Sequence, residues 1–125
     1  MDLEEFRDYC LRKIAASESM PFGEGILVFK VAGKLFALAA LDEIPATVNL
    51  KCNPDLALAL RDQYDQVQPG YHMNKKHWNT VEIDSGIPDA ELRKMIDHSY
   101  ELVVQGLPKK TREKLRHSRR MQDLA

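Results

Sequence analysis

Between Gly70 and Thr80 the chain carries Tyr71, His72, Asn74, Lys75, Lys76, His77, Trp78 and Asn79, its densest run of cationic, aromatic and hydrogen-bonding side chains. No Asp or Glu occurs from Gln66 to Val81, so Lys75 and Lys76 keep a local positive field that a chain of net charge -1 lacks as a whole. Such a field suits an anionic partner. Lysines act as point charges for phosphate, Asn74 and Asn79 can donate and accept, and Tyr71 or Trp78 can stack on a base or anchor a protein surface. The same residues also describe a polar hairpin tip whose aromatics brace the fold, and residue types alone leave both readings open.

Other chemistry finds little support. The chain has no glycine-rich phosphate loop, nucleophile elbow or paired-cysteine zinc pattern. His72 and His77 with Cys52 offer metal-ligating atoms, but their spacing matches no recognised site, so neither a metal nor a cofactor is expected. Cys52 beside His72 would make a nucleophile, yet nothing local brings them together. Cys10 and Cys52 lie far apart within apolar patterns and read as buried thiols rather than a disulfide. His98 and His117 fall on predicted helices and read as satisfied or solvated. The expectation is a binding protein, not an enzyme.

The elements that must position the central stretch follow from patterning. At 125 residues, 44% hydrophobic and 30% charged, the chain fits one globular domain with one core. No apolar run approaches a membrane span of roughly 20 residues, and the first residues are acidic, so the cytoplasm is the expected location, with no membrane. The near-neutral balance excludes bulk attraction to nucleic acid, so any contact must be local. One further asymmetry stands out: Lys109, Lys110, Arg112, Lys114, Arg116, Arg119 and Arg120 face only Glu113 and Asp123. A solvated helical tail is the plain reading.

Asp2 and Glu5 have capping-box spacing, and Leu3, Phe6, Cys10 and Ile14 predict a helix over 3–16. Residues 17–25, with Pro21-Phe22-Gly23, read as a connection. Two strands, 26–31 and 35–41, flank Ala32-Gly33-Lys34 as a hairpin. The second is apolar at every position, which fits either a strand covered on both faces or one face awaiting a partner. Residues 47–52 alternate, with Val48, Leu50 and Cys52 opposite Asn49 and Lys51.

Asn53-Pro54 starts a helix running to about 64, and residues 65–70 form a loop. After the central stretch comes a strand in which Val81 and Ile83 oppose Trp78, Thr80 and Glu82. If it pairs with 47–52, Asn49, Lys51, Trp78 and Thr80 share one polar face. Pro88 opens the longest helix, with Leu92, Met95, Ile96, Ser99, Leu102 and Val103 inward and Gly106 as its stop. Lys109–Arg120 predicts a short helix anchored by Leu115 and Met121. The fold class is thus α+β, helices packed on an antiparallel sheet, in the order α-β-β-β-α-β-β-α-α. Residues 1–112 make one domain and 113–125 a basic tail or helix extension.

Several runs together resemble the MmcQ/YjbR family of small bacterial proteins: Pro21-Phe22-Gly23-Glu24, Val28-Phe29-Lys30-Val31, Gly33-Lys34-Leu35-Phe36-Ala37 and Val48-Asn49-Leu50-Lys51-Cys52. The most specific is Pro69 through Val81, followed by Asp97-His98-Ser99-Tyr100-Glu101-Leu102-Val103 and Gly106-Leu107-Pro108-Lys109-Lys110. The resemblance covers about residues 3–112. It implies a YjbR-like α+β domain similar to the double-wing arrangement of some DNA-binding modules, and hence DNA as a partner, a label that rests on fold likeness alone. It implies no catalytic residues. Ser17-Glu18-Ser19-Met20 departs from the family's Leu-Pro-Gly turn, and the tail after Arg112 runs past the usual family end.

On these grounds the expected ligand is double-stranded DNA. The residues expected to contact it are Lys75, Lys76, Asn74, His77, Trp78, Asn79, Lys109 and Lys110. The competing expectation is a protein partner or peptide held on the sheet face.

Overall fold

A computed structural model describes residues 1–70 and 73–124 of the chain. The Asp2 carboxylate accepts the Glu5 N–H at 2.8 Å while Glu5 accepts the Asp2 N–H at 3.3 Å, and this reciprocal cap starts α1 (Leu3–Leu11). Phe6 and Cys10 bury its inner stripe. The helix ends short of the predicted 16 because Ala15 turns to φ 61° and the Tyr100 hydroxyl donates to the Ile14 carbonyl at 2.6 Å. The chain then enters β1 (Ala16–Ser19), a strand where the sequence suggested only a connection. As an edge strand it has no buried position, and its Glu18 carboxylate accepts from Arg7 Nε of α1 at 2.7 Å.

β2 (Ile26–Val31) and β3 (Lys34–Ala40) are joined by Ala32 and Gly33 at φ 48° and 81°, a two-residue turn whose left-handed backbone explains the glycine. β4 (Thr47–Lys51) follows, then α2 (Pro54–Gln63), whose N-cap Asn53 accepts from Asp55 N at 3.0 Å. β5 (Val67–Pro69) lies inside the expected loop and pairs with β6 (Trp78–Glu82). The six strands form one antiparallel sheet in the order β1-β2-β3-β4-β6-β5. The expected α+β class holds, with one strand more than the sequence order suggested.

α3 (Asp89–Gln105) lies over β3 and β4, and the core forms between the helices and one sheet face. Leu27, Phe29, Ala37, Ala39, Val48, Leu50, Val81 and Ile83 supply that face. A bulge after Phe29 also turns Phe36 inward, so Phe6, Phe29, Phe36 and Tyr100 run through the core with successive ring centroids 5.7, 6.4 and 5.3 Å apart. Ser99, fully buried on α3, donates to the Phe36 carbonyl and accepts the Lys51 N–H at 2.8 Å, locking the helix to two strands. The apolar 35–41 run therefore serves two environments: Ala37 and Ala39 face the core, while Leu38 and Ala40 pair with Val28 and Ile26 on the other, helix-free face.

α4 (Lys109–Asp123) crosses the expected 112/113 boundary as one continuous helix. Leu115 is buried in the core, whereas Met121, expected as a second anchor, is 57% exposed, because by then the helix has run beyond the core's edge. Arg119 secures that end instead, bonding Glu101 at 2.9 Å and lying over the Tyr100 ring at 5.3 Å. Among the described residues no helix is long and apolar enough to cross a membrane.

Candidate functional site

The basic turn hangs on the β5–β6 hairpin at one edge of the sheet. Its base needs Gly70: the Gly70 N–H bonds the Trp78 carbonyl at 2.8 Å, and an added Cβ would fall 2.7 Å from Trp78 Cβ. Within the turn the Asn74 side-chain oxygen accepts the Lys76 N–H at 3.0 Å, and the Asn74 carbonyl accepts the His77 N–H at 3.1 Å, an Asx arrangement that rigidifies the tip. The half-buried His77 returns the chain to β4, its carbonyl accepting the Cys52 N–H at 2.7 Å. Tyr71 and His72, with the metal and nucleophile readings that use His72, lie outside the described residues.

Arg61, from the last turn of α2, holds the turn from the covered side. Its Nε donates to Asn79 Oδ1 at 2.8 Å, and its Nη2 donates to the Lys75 carbonyl and, at 3.4 Å, to the Trp78 carbonyl. One guanidinium thus satisfies three acceptors. Asn79, expected near the bases, is only 2% exposed, on the core face between Leu50 and Pro69, with its oxygen committed to Arg61. It has no path to a base, so that expectation is corrected. The cause is the strand's period of two, which carries Asn79 inward with Val81 and Ile83.

The opposite parity behaves as the sequence suggested. Lys51 pairs with Trp78 and Asn49 with Thr80, all on the helix-free face, and the Thr80 hydroxyl donates to Asn49 Oδ1 at 2.7 Å. Asn74, Lys75 and Lys76 are exposed and Trp78 is half-buried. Among the described residues no ion pair engages Lys75 or Lys76. Lys109 and Lys110 are exposed at the start of α4, whose contacts run to α3 and to residues 11–16 beside edge strand β1, away from the β5–β6 edge. The structure does not gather them with the turn. Arg61 is what sequence reasoning missed, and only its place in the basic last turn of a helix marked it at all.

Two hollows flank this edge. On the helix-free face a cleft of about 740 Å³ has Ile26, Leu38, Ala40, Thr47, Asn49 and Thr80 as its floor, Phe22 and Met73 at its sides, and Asp42 and Glu43 as its charged wall. Under the helices a cavity of about 170 Å³ lies between Leu50, Val81, Leu56, Leu60 and Met95, with Cys52 and His98 on its border. Burial pushes the Cys52 thiol up to about 11, the wrong direction for a nucleophile. Both cysteines are free, and among the described residues no three His, Cys, Asp or Glu side chains form a metal-holding group.

Helices on one face of a six-stranded antiparallel sheet, with a cationic turn at its edge, place the chain among two-layer α+β domains. Residues 11–102 match the YjbR family model, and the chain belongs to the YjbR family. It is 36% identical over 115 residues to protein YjbR of Escherichia coli K12, spanning 92% of this chain and 98% of that one. To YbdF of Escherichia coli O157:H7 it is 43% identical over 97 residues, 77% of this chain and 79% of the relative. The crystal structure of Deinococcus radiodurans protein DR2400, a DUF419 domain, superposes with a TM-score of 0.85 at 34% identity, over 90% of this chain and 86% of that one. A Pseudomonas syringae protein matches with a TM-score of 0.72 at 28% identity, over 82% of this chain and 98% of its own. None of these four names an activity.

Proposed function

We propose that this protein binds duplex DNA, with Lys75 and Lys76 on backbone phosphates and Asn74, His77 and Trp78 at the groove edge. Lys109 and Lys110 act as a separate, secondary phosphate contact. The observation that carries this reading is the pair of exposed lysines free of carboxylate partners among the described residues, on a turn held in shape by Arg61 and the Asn74 cap. A pre-shaped turn loses little entropy on binding, so two point charges can be used fully. The acidic wall of the cleft confines the anion-attracting region to the turn and away from the sheet face.

Trp78 is the only tryptophan, so its fluorescence reports a duplex titration directly. Two phosphates neutralised at the turn give a log–log salt slope of about -2, and Lys75→Glu with Lys76→Glu weakens binding at least about tenfold across duplex sequences while flattening that slope. Unchanged affinity in the double variant overturns the proposal.

A second reading has its own observation. The cleft combines an apolar floor with an acidic wall and a 68% exposed Phe22, a surface suited to a peptide bearing apolar and basic residues. Loss of binding to a Lys/Leu peptide on Leu38→Glu, with no effect of the lysine variant, selects this reading over DNA.

A further inference from the structure

The basic C-terminal helix has a feature that the turn's function does not use. Arg112, Arg116 and Arg119 lie at intervals of four and three residues, one face of α4, and all three line a hollow of about 190 Å³ between α4 and α3. Val104 and Leu115 give it an apolar back, and Gln105 and Glu101 complete it from α3. Three guanidiniums therefore face one carboxylate, and that carboxylate is engaged by Arg119 at 2.9 Å. Arg116 and Arg112 make no ion pair among the described residues.

The second observation is independent of charge. Arg112 Nε is shielded from solvent and has no hydrogen-bond partner, the one buried side-chain polar atom so left among the described residues. Buried donors in folded proteins are almost always satisfied, so an orphaned one leaves this guanidinium short of a partner. That atom is closed to solvent, so the donors that a ligand in the hollow can meet are the outer nitrogens of Arg112 and those of Arg116, and paired guanidinium N–H groups match two oxygens of one oxyanion.

We infer that this hollow is a binding site for a small oxyanion of the phosphate class, held by the guanidiniums of Arg112 and Arg116, with Arg119 remaining on Glu101. Glu101 opposes the anion, and its bond to Arg119 offsets that repulsion. The recess between two helices fits a free phosphate or phosphomonoester better than a duplex backbone, which tracks an open surface. This site is separate from the turn, so its test does not depend on DNA binding.

The probe is inorganic phosphate, with chloride at equal ionic strength as the control. Phosphate raises the melting temperature of the full chain by a few degrees along a saturable curve, and it shifts the Arg112 Nε–Hε resonance in the same concentration range. Arg112→Met, which keeps the apolar stem, weakens phosphate binding about tenfold or more, whereas Lys75→Glu with Lys76→Glu leaves it unchanged. If Arg112→Met does not fold, Arg116→Met serves in its place, and the wild-type Arg112 resonance alone still decides. Equal effects of phosphate and chloride, or an Arg112 resonance that does not move, overturn the site. A resonance that moves with duplex DNA but not with free phosphate also overturns it, by assigning the arginines to the DNA backbone.

Discussion

Asn49 and Asn79 sit on neighbouring strands, one residue apart in register, and end on opposite faces of the same sheet. Both are nearly excluded from solvent, at 8% and 2% exposed. On the helix-free face Asn49 is held by a neutral cross-strand partner, Thr80. On the covered face Asn79 is held by a charged one, Arg61, which also grips the backbone of the turn. The difference teaches where the turn gets its shape: from beneath, through a guanidinium reaching out of α2, with the open side contributing only local pairing.

The largest effect should therefore come from the covered side. Arg61→Ala removes charge-assisted bonds and leaves Asn79 Oδ1 buried and unpaired, which should cost about 2–3 kcal/mol in urea unfolding. Asn79→Ala in the same background should cost little more, so a double-mutant cycle returns a coupling of about 1–2 kcal/mol. Additive losses would break the comparison by showing that the two side chains stabilise the fold independently. The same Arg61→Ala variant should weaken duplex binding although the lysines are intact, because the Lys75 carbonyl loses its tether.

Which parts of this arrangement are legible in the sequence follows from how local each cause is. Alternation alone separates Val81 and Ile83 from Trp78, Thr80 and Glu82, and it brings Asn49 and Lys51 to the same face as their β6 partners, as observed. The same alternation carries Asn79 inward, but an amide in a cationic stretch argues for a ligand surface until its partner is known. That partner comes from 18 residues upstream across an intervening strand, and no local signal announces it. β1 is invisible for a related reason: Ala16-Ser17-Glu18-Ser19 has no apolar face, and only pairing with β2 and the Arg7 bond make it a strand. The lysine turn itself is legible as composition, while the lack of ion pairs to Lys75 and Lys76 among the described residues required the fold. Tyr71 and His72 fall outside the described residues.

A smaller effect is expected on the open face. Thr80→Val keeps the side chain's shape and removes the hydroxyl bond to Asn49, which should cost about 1 kcal/mol, below the Arg61 value. Urea unfolding of both variants under one set of conditions checks the ranking. A Thr80→Val loss larger than that of Arg61→Ala would reverse it, and would move the structural support of the turn to the helix-free face.

The smallest effect concerns how α3 closes over the covered side. His98 Nε2 accepts the Asn53 N–H at 3.1 Å at the start of α2, so the ring is needed as an acceptor there, and burial lowers its pKa from the ordinary 6.5. Below that value the unfolded chain takes up a proton that the folded histidine resists, so this group's stability is complete above about pH 6.5 and declines on acidification through the depressed folded pKa. Glu91 and Lys94 on the same helix pair with each other at 3.2 Å beside this contact. His98→Gln retains an acceptor for Asn53 and removes the titration. The variant should lose less stability than wild type between about pH 7 and 5, while the two match more closely at neutral pH. Parallel pH profiles would show that the protonation of His98 does not loosen the α2–α3 contact.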